Sequence, residues 1–327
     1  MTYILVDTAN TFFRARHTIR GDADIKVGMA LHIMFNSIKK AWQDFNGTHV
    51  VFCLEGRSWR KDVYKPYKAN RAEARAALTV KEIEEDKLFW ETFDKFKEFI
   101  SEKTNCTVLQ NPVLEADDLI AGFIQTHPDK QHVIISTDSD FHQLLAPNVK
   151  QYNGVTEETH TLEGIFDKKG KLVKDKKTGE AKAVPNPEWL LFEKCMRGDT
   201  GDNVFSAYPG VRIKGSKNKV GLQEAFEDRN SKGWAWNNLM LQRWVDHEGV
   251  EHRVLDDYQR NLMLIDLTAQ PEQIRTVIEE TIAKATEPKD ITQVGIRLLK
   301  FCQLYDMKRI MDSIQTYAEP FQAKYKE

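Results

Sequence analysis

Seven carboxylates fall just beyond short apolar runs. Asp7 follows Tyr3–Val6, and Glu55 follows His49–Leu54. Glu115, Asp117 and Asp118 open a helical stretch after Cys106–Leu109, and Asp138 and Asp140 follow His132–Ser136. The runs are short, rich in β-branched residues and bounded by polar side chains, which predicts strands. If those strands are parallel, their ends share one edge, where open α/β sheets place their sites. Carboxylates packed there repel and raise one another's pKa unless cations compensate. With acids and no His or Cys at these positions, hard divalent cations, Mg2+ or Mn2+, are favoured over zinc.

Each acid taken singly has a plainer reading. Asp7 caps a helix starting near Thr8, Glu115, Asp117 and Asp118 favour a helix N-terminus, and Asp138 sits in a turn. A further pair lies in Arg197-Gly198-Asp199-Thr200-Gly201-Asp202-Asn203, where Gly198 and Gly201 permit a tight turn between helices. Asp199 and Asp202 either reach the same metals or cap those helices. The alternating ligands and distal Glu of an EF-hand loop are missing.

Three basic stretches complement the acids. Residues 57–75 hold Arg57, Arg60, Lys61, Lys65, Lys68, Arg71 and Arg75 against Asp62 and Glu73, a net of +5. Trp59, Tyr64 and Tyr67 are interleaved there, as base-stacking side chains would be. Residues 208–219 carry Arg212, Lys214, Lys217 and Lys219 with no acid, and residues 166–182 hold seven lysines and three acids. A charge run is commonly a solvated face, but three of them beside a concentrated acidic site suit surfaces that track phosphates.

The elements that position these residues alternate in type. Between the strands, Met29, Ile33, Phe35, Ile38 and Trp42 recur at helical spacing, as do Leu88, Phe89, Phe93, Phe96 and Ile100. Leu119, Ile120, Phe123 and Ile124 form a third apolar face. This alternation predicts an α/β fold with a mostly parallel central sheet flanked by helices. Val184-Pro185-Asn186-Pro187 closes a Lys- and Gly-rich hairpin or loop and marks a domain boundary, giving domains 1–187 and 188–327. The second half is expected to be helical, over Glu188–Arg197, Asn218–Glu227 and from about Tyr258 onward, with Trp234–Trp244 readable as a short helix or a loop.

Composition sets the outer bounds. The chain has 327 residues, with 47 Lys+Arg against 49 Asp+Glu, so it is not a uniformly basic nucleic-acid binder. No apolar run approaches the roughly 18–20 residues of a membrane helix. The segment Met1–Asp7 lacks a basic region and carries an acid where a signal peptide would be apolar. A cytoplasmic protein without a membrane partner is expected. The four cysteines are far apart with no CxxC pair, which speaks against zinc and a disulfide framework.

The order Asp7, Glu55, Tyr67-Lys68-Ala69-Asn70-Arg71, Glu115-Ala116-Asp117-Asp118, Asp138-Ser139-Asp140 and Gly198-Asp199-Thr200-Gly201-Asp202-Asn203 resembles the 5′-nuclease (flap endonuclease) superfamily. Within it, the chain is most similar to the T-even bacteriophage ribonuclease H (5′–3′ exonuclease) type, from about residue 3 to 230. The resemblance implies a PIN-like sheet core binding two divalent ions, a helical arch or loop at about 57–85, and a helix–three-turn–helix at about 188–228 that grips duplex DNA. It implies that Asp7, Glu115, Asp117, Asp138 and Asp140 hold metals directly, and that Glu55, Asp118, Asp199 and Asp202 hold metals or their waters. Lys68 and Arg71 match arch residues that contact the scissile phosphate, joining Asp7 and Asp140 as catalytic groups. Arg57, Arg60, Lys61, Lys65, Tyr67, Arg212, Lys214, Lys217 and Lys219 are the candidate DNA contacts. Two departures stand out: the superfamily usually has Asp at the position of Glu55, and the compact Gly-x-Gly turn is replaced by the irregular Gly210–Gly215.

The expected activity is Mg2+-dependent hydrolysis of phosphodiesters in branched or flapped duplex DNA and in RNA/DNA hybrids, including removal of RNA primers during replication. A single-stranded-DNA-binding protein or a sliding clamp is a candidate partner of an expected monomer, in a bacterial host's cytoplasm if the chain is phage-encoded. The alternatives are a PIN-type endoribonuclease on single-stranded RNA and a non-catalytic binder of branched DNA. The length, the GDxxDN segment and the basic second half favour the DNA reading over the first, and the nine candidate metal-site acids argue against the second.

Overall fold

A computed structural model describes residues 1–217 and 219–326. They fold into two compact units, one of 1–58, 78–185 and 272–327, the other of 59–77 and 186–271. The units interleave along the chain, in contrast to the single boundary expected near 187. Residues 272–327 group with the sheet because their helices carry an aromatic face that matches it. Phe301 stacks on Phe99 at 4.7 Å between ring centres, and Phe321 on Phe52 at 6.1 Å.

The first unit is built on a seven-stranded sheet in the order β3-β2-β1-β4-β5-β6-β7. The strands are β1 Thr2–Asp7, β2 His49–Cys53, β3 Thr107–Leu109, β4 Gln131–Ile135, β5 Val149–Asn153, β6 Glu158–Thr161 and β7 Gly164–Phe166. β3, β2, β1, β4 and β5 are parallel, and β6 and β7 add an antiparallel extension. The β1 and β2 side chains from Tyr3 to Val6 and Val50 to Cys53 are almost fully buried, as continuous apolar strands covered on both faces require. The fold is therefore the α/β arrangement expected, extended by three strands that the apolar pattern did not mark.

Helices Ala23–Asp44 and Val80–Glu102 pack their apolar stripes on the sheet. In the first, the buried stripe runs through Val27, Ala30, Leu31, Met34, Phe35 and Ile38, whereas Met29 is exposed on the outer side. Thr79 caps the second in a capping box with Glu82. The tail is tied to the sheet as well: Tyr3 donates to the Lys326 carbonyl at 2.8 Å, and Asn105 to that of Gln322 at 2.9 Å. Among the described residues no helix is long and apolar enough to cross a membrane. The four cysteines are unpaired and buried.

The second unit contains short helices Arg60–Val63 and Asn70–Ala76, then helices Pro187–Arg197, Leu222–Glu227, Trp234–Met240 and Val254–Ile265, and a hairpin of β8 Arg243–Val245 with β9 Glu251–Arg253. The tryptophan-rich segment is thus a helix followed by a strand. The helix expected from Asn218 is seen from Leu222, and Asn218 lies outside the described residues. Phe192, Met196, Leu222, Trp236, Leu239 and Val254 form its core.

Candidate functional site

Four of the five parallel strands, β1 to β4, lead to the acids of the first unit at one edge. Asp7 ends β1, next to Cys53 of β2 in the register. β1 lies at the point where the strand order reverses, between β2 and β4, the topological position at which open α/β sheets open a crevice. Asp7 is 4 % exposed. Its Oδ2 accepts from Ser136 Oγ at 2.8 Å, and its Oδ1 from the Asn10 amide at 3.4 Å. Burial first, then the charges of Glu55 and Asp138, push its carboxyl up to about 7 against the Ser136 hydrogen bond. The same field raises the Cys53 thiol, through burial and the charges of Asp7, Asp117 and Glu55. These four acids therefore share one electrostatic neighbourhood.

Local hydrogen bonds set the other carboxylates. Gly56 lets the segment after β2 press against the 111–114 loop, since a Cβ there would stand 2.0 Å from the Asn111 carbonyl. That approach brings the exposed Glu55, whose Oε2 accepts from the Ala116 amide at 3.3 Å, to the start of helix Ala116–Thr126. Glu115 is the N-cap of that helix, is buried, and accepts from Ser58 Oγ at 2.6 Å. Asp118 is fully buried and accepts from the Glu115 amide at 3.1 Å. Asp117, between them, is half-buried. Helix capping is thus seen for this motif, and the Glu55 contact sets it beside the edge acids, although among the described residues no three acids, histidines or cysteines are gathered closely enough to hold a metal ion as they stand.

Asp138 and Asp140 begin a 3-10 helix, Ser139–Leu144, and Asp138 Oδ1 accepts from the Asp140 amide at 2.9 Å. The Asp138 amide donates to Ser136 Oγ at 3.0 Å, so one hydroxyl links Asp7 to Asp138. Gln151 of β5 lies beneath them, 2 % exposed, donating to the carbonyls of Ser136 at 3.0 Å and Asp138 at 2.6 Å. Asn10 accepts from the Thr137 amide at 3.1 Å and fixes the same turn to helix Thr8–Thr18. Sequence reasoning missed Ser136, Gln151, Asn10 and Ser58, because lone polar residues carry no periodic or charge signal.

The second unit holds the remaining candidates. Asp202 Oδ2 accepts from Tyr67 Oη at 3.0 Å and lies 3.5 Å from Lys68 Nζ, and its Oδ1 accepts from Arg71 at 2.8 Å. Lys68 adopts a left-handed backbone, φ 53°, and its amide donates to the Asp202 carbonyl at 2.8 Å. Asp199 pairs with Lys194 at 2.9 Å and accepts from the Gly201 amide at 2.8 Å, so it shapes the turn. Gly198, at φ 78°, starts that turn where a Cβ would stand 2.3 Å from the Val204 carbonyl.

Two expected DNA contacts, Arg60 and Tyr67, are instead buried. Arg60 is 1 % exposed and donates through Nε to the Leu264 carbonyl at 2.7 Å, a role inside the unit. Tyr67 is buried with its hydroxyl on Asp202, and Trp59 is buried too, so neither offers a ring face to a base. Arg57 and Lys65 are exposed and Lys61 is half-buried.

Arg212, Lys214, Lys217 and Lys219 are exposed on the connection between helices Pro187–Arg197 and Leu222–Glu227. The irregular glycines there find partners outside Gly210–Gly215. Gly215 and Gly221 both donate backbone amides to Glu224, at 3.0 and 3.1 Å, and a Cβ on Gly215 would stand 1.7 Å from the Lys219 carbonyl. A cavity of about 420 Å3 opens here against Tyr208, Arg212, Ser216 and Lys219, with no carboxylate among its described lining residues.

Comparison with known proteins fits this geometry. Residues 2–175 match the family described as the 5′-3′ exonuclease, N-terminal resolvase-like domain. Among named relatives, a flap endonuclease of Escherichia phage T5 is 25 % identical over 299 residues, covering 89 % of this chain and 92 % of that protein. A DNA polymerase I of Rhizobium leguminosarum is 28 % identical over 239 residues, covering 68 % of this chain but only 20 % of that protein's length. A solved structure of the T5 5′-exonuclease with divalent metal ions (zinc) bound aligns over 88 % of this chain and 100 % of its own, with a TM-score of 0.61 at 19 % identity. A crystal structure of the T5 flap endonuclease in a pseudo-enzyme–product complex with DNA and metal ions covers 98 % and 100 %, with a TM-score of 0.58 at 20 % identity.

Proposed function

We propose, for a chain that belongs to the 5′-3′ exonuclease family through its N-terminal resolvase-like domain, the activity of a divalent-metal-dependent, structure-specific 5′-nuclease on flapped and branched duplex DNA. The observation that carries the reading is Asp7, buried at the strand-order switch with its carboxyl pushed up to about 7 by burial, Glu55 and Asp138. A carboxyl pushed that high takes up either a proton or a cation, and for a cation an all-oxygen donor set suits two Mg2+, with Mn2+ as substitute. Asp7, Glu115, Asp117, Asp138 and Asp140 would hold the ions, and Glu55 and Asp118 the ions or their waters. Asp199 and Asp202 enter as further candidates that must first give up Lys194 and the Lys68–Arg71 pair.

When bound, the ions activate the attacking water and stabilise the leaving oxygen. The chain's own residues do the rest. Ser136 and Gln151 fix the orientation of Asp7 and Asp138. Lys68 and Arg71 offer positive charge to the phosphoryl oxygens as charge grows on them. Arg212, Lys214, Lys217 and Lys219 neutralise duplex phosphates away from the reaction. The products are a 5′-phosphate and a 3′-hydroxyl.

The likeness to the T-even ribonuclease H type rests on the motif order and adds RNA/DNA hybrids and RNA primers to the proposed substrates. A monomer acting in the cytoplasm beside a single-stranded-DNA-binding protein or a sliding clamp belongs to the same proposal.

The test compares a 5′-labelled flap duplex, an RNA/DNA hybrid and single-stranded RNA, in Mg2+ and in EDTA. Metal-dependent release of the flap is expected. Cleavage of single-stranded RNA alone would replace the reading with a PIN-type ribonuclease, and binding without any turnover would replace it with a branched-DNA binder.

A further inference from the structure

The Lys-rich segment after β7 is a folded ribbon with two tips. Phe166 pairs with Thr159 of β6, Thr159 with Tyr152 of β5, and Tyr152 with Ile135 of β4. β7 is parallel in direction to β4 through these pairings, so the chain leaves it toward the edge where β4 delivers Asp138. There it turns: the Asp167 amide donates to the Lys171 carbonyl at 2.8 Å, and the Asp167 carboxylate accepts from the amides of Lys169 at 2.8 Å and Lys171 at 3.0 Å. The return is fixed by the Phe166–Leu172 bridge and by the Val173 amide on the Ile165 carbonyl at 2.8 Å. A second turn over Asp175–Glu180 follows, closed by the Lys174–Ala181 bridge and the Lys182 amide on the Val173 carbonyl at 2.9 Å. The 167–171 tip therefore stands at the acid edge of the sheet, and the 175–180 tip at the opposite edge.

The charge on this ribbon is concentrated and available. Lys168 and Lys182 pair with Glu157 at 2.8 Å and Glu158 at 3.4 Å. Lys169, Lys171, Lys174, Lys176 and Lys177 are exposed and make no ion pair among the described residues. Asp167 and Asp175 turn their oxygens onto backbone amides of the two turns. In a chain with 47 basic and 49 acidic residues, these exposed lysines on one hydrogen-bonded ribbon are a local positive feature. From β1 to β7 are four strand steps, roughly 19 Å at about 4.8 Å each. That length is about six base-pair rises of duplex.

We infer that the 167–171 tip, through Lys169 and Lys171, is a separate phosphate-contact site for the duplex about half a helical turn from the metal edge. The inference rests on the nuclease reading and adds to it a contact in the first unit, distinct from the basic connection of the second. The far tip, with Lys176 and Lys177, serves as an internal control of equal charge.

The test measures flap-duplex binding in EDTA against salt for the parent, for Lys169→Gln with Lys171→Gln, and for Lys176→Gln with Lys177→Gln. All four substituted lysines are exposed, and unchanged melting temperatures confirm that both variants fold. The near-tip pair should flatten log K against log[salt] by about 1.8, at about 0.9 per phosphate, and weaken binding at 0.1 M salt roughly 60-fold. The far-tip pair should change the slope by less than about 0.5. Equal shifts in both variants, or none in either, overturn the inference while leaving the nuclease reading intact. A parent that neither binds nor cleaves the flap duplex removes the reading, and the inference with it.

Discussion

Replacing Gln151 with Met keeps length and volume and removes every polar atom of a side chain that is 2 % exposed. Two hydrogen bonds disappear, to the carbonyls of Ser136 at 3.0 Å and Asp138 at 2.6 Å, at about 1 kcal/mol each. The substitution also deletes Gln151 Oε1, a buried oxygen with no partner among the described residues, whose desolvation costs a similar amount. Global stability should therefore change by no more than about 1 kcal/mol. The site should suffer more, because Ser136 Oγ bonds both Asp7 at 2.8 Å and the Asp138 amide at 3.0 Å, and Gln151 holds that segment from below. Loss of a group supporting metal ligands typically lowers metal affinity about 10–100-fold. Calorimetric titration with Mn2+ in the absence of DNA reads the affinity, and the Mg2+ midpoint of flap cleavage reads its consequence. Both midpoints should rise by about 10–100-fold while turnover at saturating metal largely returns and DNA affinity holds. Unchanged Mn2+ affinity in a folded Gln151→Met protein would refute the reasoning.

Three further outcomes follow from the packing and the charges. Arg60→Met should lower the second unit's stability by about 2 kcal/mol, the worth of a buried charged hydrogen bond, and leave the salt slope of DNA binding unchanged; a slope change without loss of stability would restore Arg60 as a DNA contact. Burial lowers His49 and His132 to about 4, below the ordinary value of 6.5, so the unfolded chain takes up protons first as pH falls. Stability should drop between pH about 6.5 and 4 by up to about 3 kcal/mol per histidine, and urea midpoints of His49→Gln and His132→Gln should each show a shallower decline than the parent. Replacing Lys214, Lys217 and Lys219 together with Ala should flatten the salt dependence of duplex binding by about two to three units with single-turnover cleavage at saturating enzyme preserved, and an unchanged slope would remove that connection from the interface.

The parts of the fold legible in the sequence are those where one physical rule dominates. β1, β2 and β4 are continuous apolar runs because a parallel sheet covered on both faces buries them, and an acid after each run marks the shared edge. β5, β6 and β7 escaped notice because their residues are largely polar, with Lys150, Gln151, Glu158 and His160 among them; β5 closes the parallel set, and β6 and β7 are the short strands of the antiparallel extension. Arg60 and Tyr67 looked like surface residues because residue type reports an average environment, whereas Leu264 and Asp202, about 200 and 135 positions later, supply the partners that bury them. The pairing of Asp202 with Lys68 and Arg71 is hidden for the same reason, since its two sides lie about 130 positions apart. Glu224 as the clasp of Gly215 and Gly221 is likewise a tertiary fact with no local sign.

The central claim is that the acid edge, with Asp7 at its middle, holds the divalent ions that make this chain a nuclease. Asp7→Asn keeps the shape and an oxygen to accept from Ser136, and removes one charge from a carboxyl that Glu55 and Asp138 already press upon. Single-turnover cleavage of a 5′-flap duplex at saturating Mg2+, measured beside binding of the same duplex in EDTA, isolates the chemical step. Metal stabilisation of the transition state is worth several kcal/mol, so the rate should fall by at least about 100-fold with binding unchanged. A rate within about threefold of the parent at saturating Mg2+ would contradict the account.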